Sequence, residues 1–170
     1  MKTFFISDTH FSHSRMIENG WRSFNSTAEM NEYIIKQWNS VVSENDTVYH
    51  LGDICICRWK DYQKDIESQL NGNIIYIKGN HDSRNSARIH RMVLFLKSLE
   101  VELVHNPLDR SGEFDYVIHG HIHNSGDSHA DAVSSIENTK TQFFNANVEF
   151  NDYKPVELQN IIQRFLTKKK

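Results

Sequence analysis

The 170-residue sequence predicts an α/β fold. Two observations carry this reading. Short apolar runs rich in aromatic and β-branched residues alternate with amphipathic segments of helical period, and five of those runs end in a polar cluster. In such folds ligands bind beyond the carboxyl ends of the strands. A chain of this length suits a single domain, residues 1–170, with room for a sizeable core.

The elements follow in chain order. "KTFFIS" is an aromatic-rich strand running into the polar "DTHFSH". "STAEMNEYIIKQWNSVV" opens with the Ser-x-x-Glu capping pattern of Ser26 and Glu29, and Met30, Ile34, Trp38 and Val41 then share one helical face. "DTVYHLGD" is a second strand entering a Gly-Asp turn, and "RWKDYQKDIESQLNG" a helix closed by Gly72. "NIIYIKGNHD" is a third strand. "SARIHRMVLFLKSL" reads as a helix with Ile89, Met92, Leu96 and Leu99 inward. "VELVHNP", "FDYVIHGH" and "TQFFNANVEF" read as strands, residues 124–140 as a surface loop, and "VELQNIIQRFL" as a last helix with Pro155 at its first turn.

Hydrophobic residues make up 38% and charged residues 24%, as in ordinary globular proteins. The net charge of −3 gives no electrostatic footprint for tight, non-specific nucleic-acid binding. No apolar run is long enough for an export signal or a membrane span, so no membrane partner is expected. Cys55 and Cys57 are poorly spaced to bridge each other, and reduced thiols in a cytoplasmic setting are the expectation.

The strand ends carry the chemistry: Asp8-Thr9-His10, Gly52-Asp53, Gly79-Asn80-His81-Asp82, His105 and Gly120-His121-Ile122-His123. Parallel strands would bring these clusters to one rim. Carboxylate, amide and imidazole donors without thiolates suit Mn, Fe, Ni or Zn. A carboxylate shared by two ions and flanked by histidines is a common way to hold a pair of metals about 3.5–4 Å apart.

The order D-x-H, G-D, G-N-H-D, a lone H and G-H-x-H, spanning residues 8 to 123, resembles the calcineurin-like metallophosphoesterase family. The small size is similar to its capless bacterial or phage-type members. The resemblance implies a four-layer α-β-β-α sandwich of two mixed β-sheets flanked by helices. It also implies two divalent metal ions, Mn²⁺ ahead of Fe, Ni or Zn, and hydrolysis of phosphate mono- or diesters by a metal-bridged hydroxide. Residue by residue, it implies Asp8, His10 and His123 on the first metal, and Asn80, His105 and His121 on the second, with Asp53 bridging both. His81 corresponds to the family's catalytic histidine that binds no metal, and Asp82 is a candidate for orienting it. Because His121 and His123 would serve different metals, the chain must bend there, with Gly120 letting the backbone come close.

Other residues are weighed against plainer roles. Arg84 is a candidate clamp on a substrate phosphate or a surface charge, whereas Arg88 and Arg91 read as a solvated helix face. His13 is a further candidate for the pocket wall, and His50 supports the site or simply packs. His119 is a bystander in its strand, His90 and His129 have no role, and the two cysteines pack rather than bind zinc. Specificity is assigned to the loops around residues 11–25, 54–60, 83–86 and 124–140. The expected substrate is a small phosphate ester, with a lean to phosphodiester or nucleotide-type compounds. The alternatives are a nuclease acting on DNA or RNA, and a non-catalytic binding or scaffold protein on the same fold.

Overall fold

The computed structural model describes residues 1–96, 99–124 and 139–167. Strands β1 (Thr3–Ile6), β2 (Thr47–His50) and β3 (Asn73–Tyr76) pair in parallel. They form one sheet with an antiparallel edge strand, β8 (Val156–Glu157), in the order β3-β2-β1-β8. The second sheet has the order β4-β5-β6-β7. Here β5 (Glu100–Val104), β6 (Tyr116–His119) and β7 (Gln142–Asn145) are parallel, and β4 (Arg91–Phe95) is the antiparallel edge. Helices α1 (Arg15–Glu18), α2 (Thr27–Asn39), α3 (Trp59–Asp65) and α4 (Leu158–Thr167) flank these sheets. The expected pair of mixed sheets with flanking helices is therefore what the chain adopts.

The run "TFFI" is apolar on both sides because both faces of β1 are covered. Phe5 faces Val101, Leu103, Tyr116, Ile118 and Phe144 of the second sheet, with Ile161 and Phe165 of α4 in the same cluster. Phe4 and Ile6 face the other way, onto Trp38 and Val42. Helix α2 starts as its sequence dictates, with Ser26 accepting a hydrogen bond from Glu29 N at 3.1 Å. Met30, Ile34 and Trp38 are fully buried, but the next inward residue is Val42; Val41 is exposed.

Four expectations need correction. The helix expected over 86–99 is not formed by its described residues: residues 91–95 form β4 and pair with β5. Met92, Leu94 and Leu96 all pack on the core, a two-residue period that coexists with the helical spacing of Met92, Leu96 and Leu99. A short apolar run is ambiguous between the two, and pairing with β5 decides it. The helix from residue 58 ends at Asp65, followed by a single 3₁₀ turn (Glu67–Gln69) before Gly72, whose φ of +95° closes the segment. After Pro155 the chain first adds β8 to the sheet, so the last helix begins at Leu158. "TQFFNANVEF" is a strand only through Asn145; Val148–Phe150 is a 3₁₀ turn. Most of the expected 124–140 loop, with His129, lies outside the described residues.

Candidate metal centre

Parallel register delivers the polar clusters to one place. Ile6 pairs with His50, and beyond the strand ends Asp8 N donates to Gly52 O at 2.9 Å and His10 N to Asp53 O at 3.0 Å. On the second sheet Gly120 N donates to His105 O at 2.9 Å. The two sheets are joined at this rim, since Ser7 N donates to Ala146 O and Val148 N donates to Ser7 O. All seven predicted ligands therefore converge.

Their backbone is bent to do so. Asp8, His10, Asp53 and His121 have φ of 56°, 47°, 55° and 69°. Non-glycine residues in this left-handed region are strained by about 1–3 kcal/mol each and cluster at functional sites. The bend at His121 is the one expected between the two histidines of "GHIH". A side chain at Gly120 would collide with Ser7 and Asp8, and one at Gly79 with Asp53. Both positions need glycine because backbone passes directly against a carboxylate.

Two sets of donors meet around Asp8 and Asp53. Asp8, His10 and His123 offer ligand atoms within 4.8 Å of one another, and so do Asp8, Asp53 and His105. Asp53 Oδ2 lies 3.6 Å from His10 Nε2 and 3.5 Å from His105 Nε2, and Asp8 Oδ1 lies 3.6 Å from His123 Nε2. Asn80 Oδ1 lies 2.9 Å from His105 Nε2 and 3.0 Å from His121 Nδ1, and those two nitrogens are 3.3 Å apart. An ion with bonds of about 2.1 Å separates neighbouring ligand atoms by about 3.0–3.4 Å. The edges around Asn80, His105 and His121, 2.9–3.3 Å, match that spacing, and those to Asp8 and Asp53, 3.5–3.6 Å, lie slightly above it. The His10 imidazole is buried, its Nδ1 has no hydrogen-bond partner among the described residues, and its Nε2 is too far from Asp53 to make one. Burying such a group is unfavourable unless something binds it.

The electrostatics are those of clustered donors. Burial lowers the pKa of His10 far below the usual imidazole value, and burial also lowers that of His121. For His105 burial acts in the same direction, but the Asp53 carboxylate 3.5 Å from its Nε2 and the charge of Asp8 override it, raising the pKa to about 9. Burial raises Asp53, yet His105 and His10 hold it below the carboxylate range. Burial raises Asp8, partly offset by His105 and His123.

Two supporting residues, Arg22 and Glu149, had no sequence signal. Arg22, only 2% exposed, donates from Nη2 to Asp8 O at 2.6 Å and from Nη1 to Thr9 O at 2.8 Å. Its Nε donates to Glu149 Oε1 at 3.0 Å, and that oxygen also lies 2.9 Å from His123 Nδ1. Glu149 thus orients His123, leaving Nε2 facing Asp8, the usual arrangement of a carboxylate behind a ligand histidine. Burial lowers the pKa of His123, but the Glu149 hydrogen bond and the Asp8 charge raise it overall. The Thr9 hydroxyl donates to Ile54 O, so it accepts from His50 Nε2 at 2.9 Å. His50 is a buried support beneath the first cluster, with burial pushing its pKa down to about 3.

Asp82 does something other than orient His81. Its Oδ2 accepts from Asp53 N at 2.9 Å and Gly79 N at 2.8 Å, and Oδ1 accepts from Ile54 N at 2.8 Å. It straps the turn that presents Asp53. Asp82→Asn would set an amide donor against one or two of these buried N–H groups, each unsatisfied group costing about 1–3 kcal/mol. The expected result is a stability loss of that size in urea unfolding, together with reduced metal content. Unchanged stability and metal content would refute the strap.

His81 is exposed, its ring 5.7 Å from that of His10, while its backbone N donates to Asp53 Oδ1 at 2.9 Å. His81 and His13 line a cleft of about 910 Å³ that is also lined by Trp21 and Ile56, from two of the expected specificity loops. Arg84 is exposed and lines neither this cleft nor the one beside Asn80; Arg88 and Arg91 line the latter. His119 is buried with Nδ1 2.8 Å from Gly120 O, the expected bystander. Cys55 and Cys57 are free thiols outside both donor sets, and burial pushes the Cys55 pKa up to about 12. Among the described residues no helix is long and apolar enough to cross a membrane.

MJ1445, an uncharacterized protein of Methanocaldococcus jannaschii, is 37% identical over 166 residues, covering 95% of this chain and 90% of its own. The crystal structure of AQ665, a protein of unknown function from Aquifex aeolicus, matches with a TM-score of 0.76 at 26% identity, covering 95% of this chain and 98% of its own. Residues 1–146 match the model of the calcineurin-like phosphoesterase superfamily domain. The chain belongs to the calcineurin-like phosphoesterase superfamily.

Proposed function

We propose that this protein is a phosphohydrolase using two divalent metal ions, Mn²⁺ foremost, on a small phosphate-ester substrate in the cytoplasm. The observation that carries the reading is the pair of donor sets meeting at Asp8 and Asp53, with ligand-atom separations that suit metal bonds. Asp8, His10 and His123 would hold one ion, Asn80, His105 and His121 the other, and Asp53 both. Such ions lower the pKa of the water they hold and neutralise phosphoryl charge as it builds. The chain's own part is to fix these donors, through Arg22, Glu149 and Asp82, and to supply His81 on the cleft wall. There His81 stabilises the phosphoryl oxygens and gives a proton to the leaving oxygen. The cleft at the first cluster admits mono- or diesters.

Purified protein is expected to bind two Mn²⁺ per chain and to hydrolyse aryl phosphate esters, with activity lost on chelation. Metal content below two per chain, or no hydrolysis with Mn²⁺ present, would sink the reading. Binding should also depend on pH with a definite sign. In the metal-free protein His105 carries a proton below about pH 9 and must release it to ligate. Affinity should therefore tighten from pH 6 to pH 9, with proton release seen by calorimetry in buffers of different ionisation enthalpy.

A further inference from the structure

On the Asn80 side of the metal centre lies a second cleft, of about 840 Å³, lined by Lys78, Asn80, Arg88, Arg91, His105 and Asp109 among others. The pairing of strands explains the gathering of cations. Lys78 N donates to Ile89 O at 2.7 Å, so Arg88 is carried beside the segment that leads into Asn80. Arg91 pairs in β4 with Val104, the residue before His105. Each cation is thus set by backbone pairing within a few residues of a predicted ligand of the second metal.

Three cations and a single carboxylate, Asp109, line this cleft in a protein whose net charge is −3. Arg91 is anchored, with Nε 3.6 Å from the buried Glu102 carboxylate, and its side chain is half exposed. Among the described residues neither Lys78 nor Arg88 makes an ion pair. A basic cleft opening directly onto a phosphate-binding metal pair raises the local concentration of anions. Guanidinium forks bind phosphate oxygens in pairs, and an ammonium binds them as a point charge.

We propose that this cleft is a subsite for a second phosphate group on the substrate, adjacent to the one being hydrolysed, with Lys78 and Arg88 as its specificity-determining residues. The inference rests on the phosphohydrolase reading above and narrows its substrate class to compounds bearing two phosphates. The second phosphate could come from a pyrophosphate link or from a nucleic-acid backbone, and matched substrates separate the two. One pair is thymidine 5′-(p-nitrophenyl phosphate) with and without a 3′-phosphate. The other is P1,P2-di(p-nitrophenyl) pyrophosphate against bis(p-nitrophenyl) phosphate.

With the full-length, Mn²⁺-loaded protein, the two-phosphate member of at least one pair should be preferred in kcat/KM by roughly 10–100-fold, the scale of a charge-assisted hydrogen bond. The preference should shrink with added salt, collapse in the Lys78→Ala, Arg88→Ala double variant, and return in part with Arg88→Lys. Which pair shows it identifies the source. A ratio near one for both pairs, or a preference that survives the double variant, overturns the subsite alone. No hydrolysis of any of the four overturns the phosphohydrolase reading and the subsite with it.

Discussion

His81→Ala is expected to lower turnover on an aryl phosphate by about 10²–10⁴-fold while leaving two metals per chain. The separation of the two readouts follows from geometry. The imidazole is exposed, lines the cleft and belongs to neither donor set. What holds Asp53 in place is the backbone N–H of residue 81, 2.9 Å from Oδ1, and alanine keeps that bond. The side chain is therefore free to act on the substrate without bearing on the metals. Metal analysis beside steady-state kinetics checks this. Loss of metal in the variant would mean that His81 is a ligand, and near-normal turnover would mean that the proton comes from elsewhere, His13 being the nearest alternative on the same wall.

Arg22→Met is expected to destabilise the fold by about 3–5 kcal/mol, the scale for breaking one partner out of a buried pair. The side chains of Arg22 and Glu149 are 0% and 1% exposed, so removing the guanidinium takes from the buried carboxylate its permanent cation and leaves it His123 and the Asn124 N–H. It also strips the donors from the carbonyls of Asp8 and Thr9, in a turn where Asp8, His10 and Ser12 all have positive φ. Methionine has about the right bulk, so the loss reports on charge and hydrogen bonding rather than on a cavity. Adding Glu149→Gln should recover part of the stability, because the stranded charge is gone. Denaturant unfolding of the two variants measures this, and a loss under about 1 kcal/mol in the single variant would refute it. The pair also has a functional reach, since Glu149 holds His123 by its Nδ1. Both variants should show weaker metal binding at the Asp8 side.

The donors were legible because their chemistry is written in residue types immediately after apolar runs. Asp8, His10, Asp53, Asn80, His105, His121 and His123 need no long-range information to be noticed; parallel strands carry them to one rim. Even the bend between His121 and His123 could be anticipated from the roles implied for them, and φ of 69° at His121 provides it. The role of Asp82 was misjudged, because adjacency to His81 suggests a partnership that the backbone N–H groups of Asp53, Ile54 and Gly79 claim instead. Arg22 and Glu149 left no trace in the sequence. They are 127 residues apart, and only folding makes them neighbours.

The region after "GNHD" shows the limit most clearly. Met92, Leu96 and Leu99 satisfy a helical period and Met92, Leu94 and Leu96 a strand period, so the sequence is silent between them. Pairing of Arg91–Phe95 with Glu100–Val104 settles it, and in doing so moves Arg88 and Arg91 from an imagined solvent face to the wall of a cleft beside Asn80. The sequence by itself determined the alternation of strands and helices, the chemical identity of the donors and their order along the chain. Tertiary structure alone decided which distant groups support those donors and which cations face the site. The first are properties of single residues and their near neighbours, whereas the second depend on contacts between segments brought together only by folding.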